Sequence, residues 1–148
     1  MNRRFELVVV ARELLYPVQL RFGIGVGIIT TEIARDAIGI DGPAFYDSRR
    51  ALEQAKREGR EVRFQGLGEE LDMAVNTLAL LLSALTSQRT ERQFEVVGLY
   101  RKLGTHARVA QELGVSRASV TKTLSAAQWE AVGGEETMRK LLTLRRLG

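Results

Sequence analysis

The stretch THARVAQELGVSRASVTKTLSAA, residues 105–127, has the pattern of two short helices joined by a tight turn. Ala110 is small enough to let a second helix cross closely, and Gly114, four residues later, suits the turn. Val115 is then the apolar residue that fills the core beneath the turn, and Ser116 is suited to cap the second helix. Because each position has its own steric reason, the pattern predicts a helix-turn-helix.

A helix-turn-helix places its second helix in the major groove of DNA, so we expect a recognition helix over residues 116–127. Val120 and Leu124 would face the core. Arg117 is the best candidate for base recognition, because a guanidinium pairs bidentately with guanine, and Ala118 could contact a thymine methyl. The expected phosphate contacts are Thr105, Arg108 and Ser116, and the other DNA-facing candidates are Thr121, Lys122 and Ser125. The alternative is a helical hairpin kept for packing alone, as in a protein-interaction adaptor.

The charge distribution agrees with a polyanionic partner for this part of the chain. The formal net charge of the 148 residues is +4. Residues 1–88 carry 11 basic and 12 acidic side chains, whereas residues 89–148 carry 11 basic and 6 acidic ones. The excess of positive charge therefore lies in the part of the chain that holds the predicted helix-turn-helix. By itself the charge indicates either a polyanionic partner or a solvated face, and the helix-turn-helix makes double-stranded DNA the expected partner.

Upstream, LRFGIGVGIITT (20–31) places glycines at positions 23, 25 and 27. The alternation predicts a long strand from Val18 to Ile29 with the glycines on one face. A dinucleotide-binding fingerprint would place its glycines at a strand-to-helix turn, and a P-loop would need a following Gly-Lys-Ser/Thr. Neither is present, so we expect the glycine face to let a helix, another backbone or a ligand approach the sheet closely.

Two helices and a second strand are predicted around this strand. A helix over Arg3–Tyr16 comes before it, and residues 37–59 predict a turn and a helix capped by Asp41 and Gly42 that ends at Gly59. Residues 60–66 alternate in polarity as a short strand does, which completes an α/β unit. The inner stripe of the second helix would be Ala44, Phe45, Ala51, Leu52 and Ala55.

Residues 69–88 predict a helix that is apolar on nearly every side. Such a helix must be covered on several sides, by the α/β layer, by the downstream helices or by its twin in a dimer. Its stripe from Leu71 to Leu85 is the candidate homodimer face, because most helix-turn-helix proteins bind two half-sites as dimers. The fold class is then α+β or mostly α: a small α/β layer of two or three strands with covering helices, followed by a helical helix-turn-helix domain. We divide the chain into residues 1–67, 68–89 and 90–148.

Composition argues against most catalytic sites. The chain has no cysteine and a single histidine, His106, which is expected at the surface. Disulfides, thiolate chemistry and multi-histidine metal sites are therefore excluded. Asp36, Asp41 and Asp47 are better explained as a cap and surface residues than as metal ligands. The sequence therefore predicts no catalytic residue, no cofactor and no metal site.

We expect a cytoplasmic protein, because the sequence shows no signal peptide and the apolar run 78–85 is too short to span a bilayer.

The order of these segments resembles the SatD family, named for secretion and acid tolerance. The resemblance lies in LRFGIGVGIITTEIARDAIGIDGPAFYDSRRALEQAKREG, the apolar helix and the helix-turn-helix. It implies a cytoplasmic bacterial protein with a nucleotidyl-cyclase-like α/β half joined to a DNA-binding C-terminal part, and hence a transcriptional regulator.

In that family pattern an upstream strand and an acidic Gly-Asp motif come before the first helix, and nothing in this chain matches them. We therefore expect either a short member of the family or a fragment. The alternative function is a nucleotide-binding sensor, or a degenerate cyclase-like module, that uses the glycine-rich strand. The sequence identifies no small-molecule effector.

Overall fold

The computed structural model describes residues 4–27 and 42–144. These residues are mostly helical with a two-stranded parallel sheet, as the α+β prediction requires. The helices are α1 Arg4–Leu15, α2 Pro43–Glu58, α3 Glu69–Thr86, α4 Glu91–Leu103, α5 His106–Leu113, α6 Arg117–Ala126 and α7 Gly133–Leu144. The strands are β1 Phe22–Gly25 and β2 Val62–Gln65, and a short 3-10 helix spans Trp129–Val132.

The sheet pairs β1 with β2 in parallel, from Phe22 beside Val62 to Gly25 beside Gln65, and α2 is the helix between them. Strand β1 is shorter than the predicted Val18–Ile29. Its partner β2 has only four residues, so the ladder cannot extend further along it. Residues 18–21 are not strand, and the predicted positions Ile28, Asp36 and Asp41 lie outside the described residues.

The second edge of β2 is closed by a buried side chain of α3. Asn76 accepts a hydrogen bond from the amide of Phe64 at 2.8 Å and donates one to the carbonyl of the same residue at 2.9 Å. These two bonds satisfy backbone groups that would otherwise bind a further strand.

The glycine face of β1 packs directly on α2, which confirms the packing interpretation. A Cβ atom added to Gly25 would lie 1.9 Å from the carbonyl oxygen of Ala44, and one added to Gly23 would lie 2.3 Å from the amide nitrogen of Leu52. Only glycine permits this approach. No ligand fits between strand and helix at these two positions.

The inner stripe of α2 is confirmed at Ala51 and Ala55, which are fully buried, but the prediction is wrong at Phe45. Phe45 is 45% exposed. Its neighbour Ala44 turns its backbone to the strand, so Phe45 lies about 100° further round the helix and faces solvent. The helix ends as expected at Gly59, whose φ of 65° is left-handed.

The buried apolar side chains form two clusters. The first joins α1, the sheet, α3 and α7, and the second joins α4, α5 and α6. Met138 and Leu142 of α7 belong to the first cluster, so the chain leaves that core after α3 and returns to it at its last described helix.

Helix α3 packs into the first cluster through most of its predicted stripe. Val75 and Leu82 are buried there, Leu71 and Leu78 are partly buried, and Leu85 is exposed. The Leu71–Leu85 stripe therefore serves largely the fold of this chain, and the opposite side of α3 faces solvent.

Candidate nucleic-acid interface

Helix α5 and the turn after it form as their sequence predicts. The hydroxyl oxygen of Thr105 accepts a hydrogen bond from the amide of Arg108 at 3.3 Å and caps the helix. Gly114 ends it with a left-handed φ of 64°, and the amide of Val115 donates to the carbonyl of Ala110 at 3.0 Å. A glycine adopts this conformation without strain, and it sends the chain directly into the next helix.

Helix α6 is capped by Ser116, whose hydroxyl oxygen accepts from the amide of Ser119 at 3.1 Å. Val120 and Leu124 are buried in the second cluster together with Ala110 of α5. The inner face of α6 is therefore fixed by packing, and the residues on its outer face are exposed.

The eight residues that the sequence predicts to contact DNA are all exposed. They are Thr105, Arg108, Ser116, Arg117, Ala118, Thr121, Lys122 and Ser125. Helix α6 carries two cations and no acidic residue, while α5 carries Arg108 and Glu112. The pair of helices thus presents a net positive surface.

One of these side chains is already engaged within the protein. The hydroxyl of Thr121 donates to the carbonyl of Arg117 at 3.0 Å and lies 2.9 Å from Nδ1 of His106. His106 is half-buried, and its ring centroid lies 5.0 Å from that of Tyr100. His106 therefore links the start of α5 to α6, a structural role that the expected surface position did not include.

The partly buried side chain of Trp129 packs against the second cluster. Its ring meets that of Tyr100 edge-on, with centroids 5.0 Å apart, and the guanidinium carbon of Arg101 lies 5.1 Å from the Trp129 ring centroid. This aromatic cluster connects α4 to the start of α5 through His106 and to the short 3-10 helix after α6 through Trp129.

A buried arginine that sequence analysis missed holds the end of α6. Arg89 is 3% exposed, and its Nε donates to the carbonyl of Ala127 at 2.8 Å. Its Nη1 and Nη2 have no hydrogen-bond partner among the described residues, and burial lowers its pKa to about 10. An arginine between two helices carries no sequence signal of burial, since this residue type is usually exposed.

The two clusters are also joined by an ionic group. Arg101 of α4 lies 3.0 Å from a carboxylate oxygen of Glu13 of α1 and 2.8 Å from one of Glu135 of α7. Burial raises the pKa of Glu13, although Arg101 opposes the shift. Burial lowers the pKa of Arg101, but its bonds to Glu135 and Glu13 outweigh that effect and raise it. The charged form of Arg101 is stabilised by two carboxylates, whereas for Glu13 the cost of burial, with repulsion from Glu135, outweighs the attraction of Arg101 and Arg12.

A separate cavity of about 470 Å³ lies at the carboxyl ends of the two strands. Asp72 accepts hydrogen bonds from the amides of Gly66 and Leu67, both at 3.1 Å, and so holds the turn after β2. The lining residues are Val26, Gly27, Pro43, Asp47, Gln65, Gly66, Gly68 and Asp72. Within residues 4–27 and 42–144, no group of three or more His, Cys, Asp or Glu side chains is placed to hold a metal ion.

The described fold defines a mostly helical α+β protein in which a parallel two-stranded sheet is followed by helices. The chain belongs to the SatD family, whose family model matches residues 4–131. Comparison with curated proteins and comparison with solved structures return no match. Among the described helices, none combines the length and the apolar character needed to cross a membrane.

Proposed function

We propose that this protein binds double-stranded DNA through α5 and α6 as a helix-turn-helix and acts as a transcriptional regulator. The observation that carries the proposal is the two-sided character of α6. Val120 and Leu124 are buried, whereas the outer face carries Arg117 and Lys122 with no acidic side chain. Exposed cations on a capped helix match the phosphate backbone and the base edges of a duplex.

The roles follow from position along the helices. Arg117 and Ala118 are the first two residues of α6, at the end that contacts bases when such a helix enters the major groove. Lys122 lies just over one turn further and can contact a base or a phosphate. Thr105 and Arg108 lie at the N-terminal end of α5, where amide groups and positive charge favour a phosphate.

The hydroxyl groups refine this assignment. The Ser116 oxygen accepts the Ser119 amide, which leaves its own hydrogen to donate to a phosphate. The Thr121 hydroxyl already donates to Arg117 and contacts His106, so we assign its methyl group rather than its hydroxyl to DNA. Ser125, another exposed residue of α6, would contact the backbone at the far side of the groove. The proposal assigns binding and no catalysis.

The test is fluorescence anisotropy with a random-sequence duplex at several salt concentrations. The proteins are the wild type, Arg117→Ala/Lys122→Ala, and the control Arg49→Ala/Arg50→Ala, which removes two exposed cations from α2. We expect wild-type affinity to fall linearly in log salt, and the α6 variant to bind more weakly with a slope lower by about 1 to 2. The α2 variant should match the wild type.

Two outcomes would overturn the proposal. One is the absence of binding at low salt. The other is an equal loss in the α2 and α6 variants, which would show non-specific attraction to positive charge. Either result would make α5 and α6 a packing module, as in a protein-interaction adaptor.

A second candidate function is sensing of a small ligand, such as a nucleotide, at the cavity beside Gly27 and Gly66. The supporting observation is its place, because α/β sheets bind ligands outside the carboxyl ends of their strands. Helix α2 fills the glycine face at Gly23 and Gly25, whereas Gly27 lines a cavity formed by the described residues. A thermal-shift screen with nucleotides, with and without Mg²⁺, tests it: a ligand of the folded state raises the Tm, and an unchanged Tm throughout would reject it.

A further inference from the structure

Helix α3 presents an exposed face without charge. No charged residue occurs between Met73 and Gln88. On this face Met73 is 67% exposed, Leu80 43%, Leu81 56% and Leu85 41%. A surface helix normally carries polar and charged residues opposite its buried stripe, so this composition is unusual for a face in contact with water.

The exposed positions follow a regular spacing. Met73, Thr77, Leu80 and Ala84 are separated by steps of four, three and four residues, all on exposed positions, and Leu81 and Leu85 lie beside them. This is the spacing by which one helix packs along another, and the small side chains of Thr77 and Ala84 permit close approach. We call these six residues the outer α3 face.

The apolar surface continues beyond α3. Tyr16 and Val18, which follow α1, are exposed and line the same cavity as Leu80 and Ala84. The same cavity is also lined by the charged residues Arg12, Arg21, Arg60 and Glu61, so the apolar surface meets a polar border there. Exposed apolar surface with a polar border is typical of an interaction site.

We propose that the outer α3 face is covered by the same face of a second copy of the chain, with the two α3 helices antiparallel about a two-fold axis near Leu80. The proposal rests on the proposed function, because two copies of α6 are what a two-half-site operator requires. A two-fold contact needs a surface that complements itself. An uncharged apolar face meets that condition, since it pairs with its own copy without repulsion.

Charge at the end of the helix sets the orientation. Glu69 and Glu70 are exposed in the first turn of α3. Parallel pairing would bring both acidic turns together, whereas antiparallel pairing about an axis near Leu80 separates them by roughly 30 Å, twice the rise of the 10 to 11 residues between these turns and Leu80 at about 1.5 Å each. The acidic end also argues against a lipid surface, because helices that lie on membranes carry Lys and Arg beside their apolar face.

The first experiment measures the oligomeric state by sedimentation equilibrium without DNA, for the wild type, Leu81→Glu and the control Phe45→Glu. Leu81 and Phe45 are both exposed, so both variants should fold, and their Tm verifies this. We expect a wild-type dimer, at least a tenfold higher dissociation constant for Leu81→Glu, and no change for Phe45→Glu. A monomeric wild type at high concentration overturns the proposal in favour of another partner, and so does a Leu81→Glu variant that dimerises normally.

The second experiment uses the absence of cysteine to test the orientation. Under mild oxidation, Leu80→Cys should form a disulfide-linked dimer, because Leu80 lies near the axis. Met73→Cys should not, because antiparallel pairing places it opposite the other end of the partner helix. Linking through both positions would show parallel pairing and overturn the antiparallel arrangement.

These results are independent of DNA binding. If the dimer forms but random duplex is not bound, the proposed function fails and the outer α3 face stands. If the duplex is bound by a chain that stays monomeric in sedimentation, the inference fails and the proposed function stands.

Discussion

Arg89 and Ala127 lie 38 positions apart in sequence, and the Arg89 Nε donates a 2.8 Å hydrogen bond to the Ala127 carbonyl. Both residues are buried. Arg89 follows α3 closely, and Ala127 ends α6. The position of the proposed recognition helix therefore depends on a side chain that belongs to neither α5 nor α6.

Replacing Arg89 should lower the free energy of unfolding. Arg89→Lys keeps a cation in the buried position but loses the Nε bond, and a hydrogen bond from a charged donor contributes about 1.5–3 kcal/mol. Arg89→Met loses the same bond but also removes the cost of burying the charge. We therefore expect Lys to be more destabilising than Met in urea unfolding at pH 7. A Lys variant as stable as the wild type would contradict this role.

The glycine strand gives a matched pair of substitutions. A Cβ at Gly25 would meet the Ala44 carbonyl at 1.9 Å, whereas one at Gly27 finds Ala44 atoms at 3.3 Å or more. Gly25→Ala should separate α2 from the sheet and destabilise by about 3 kcal/mol or more, the upper end of overpacking costs. Gly27→Ala should change stability by less than about 1 kcal/mol. Equal effects in thermal unfolding would show that α2 does not pack this closely.

The turn before α6 depends on backbone conformation rather than on space. Gly114 has a φ of 64°, and an added Cβ would meet no atom within 4 Å. Gly114→Ala should therefore cost only the left-handed strain of about 1–2 kcal/mol, and Gly114→Asn should cost less because Asn adopts this conformation more readily. Chemical denaturation of both variants checks this order. If Gly114→Ala were as stable as the wild type, Gly114 would not be in the left-handed conformation.

Glu13 should give stability an unusual dependence on pH. Burial raises its pKa above 4.5, so the folded protein holds this proton more tightly than the unfolded chain. Its contribution favours folding below pH 4.5 and is lost as the pH rises through the raised pKa. Glu13→Gln cannot titrate, so its stability relative to the wild type should increase from pH 4 to pH 7 in urea unfolding.

A control for this prediction is Glu53→Gln. The hydrogen bond from Lys56 lowers the pKa of Glu53, so its contribution is present above pH 4.5 and is lost on acidification. The relative stability of this variant should move in the opposite direction, and by little, because Glu53 is exposed. If the relative stability of both variants increased with pH, the raised pKa of Glu13 would not explain the pH dependence of Glu13→Gln.

The local elements could be predicted because their signals are local. Ser116 caps α6, and Gly59 and Gly114 end helices in the left-handed conformation. The parallel pairing of β1 and β2 followed from strand, helix and strand in sequence. For the candidate site, the exposure of Arg117 and Lys122 followed from the inward positions of Val120 and Leu124.

What escaped prediction depends on contacts between distant segments. The length of β1 is set by its partner, and the orientation of Phe45 by which residue of α2 meets Gly25. Arg89 and His106 take their roles from Ala127 and Thr121, and no periodicity connects those pairs.

The return of α7 to the first cluster has a consequence for synthesis. Met138 and Leu142 pack with Phe5 and Val8, so the core that begins with α1 lacks part of its filling until α7 leaves the ribosome. The second cluster, built from α4 to α6, is complete earlier. Translation adds about 5–20 residues each second. All residues of the second cluster, which supports the segment that we propose to bind DNA, are therefore synthesised before the first cluster receives its last residues from α7.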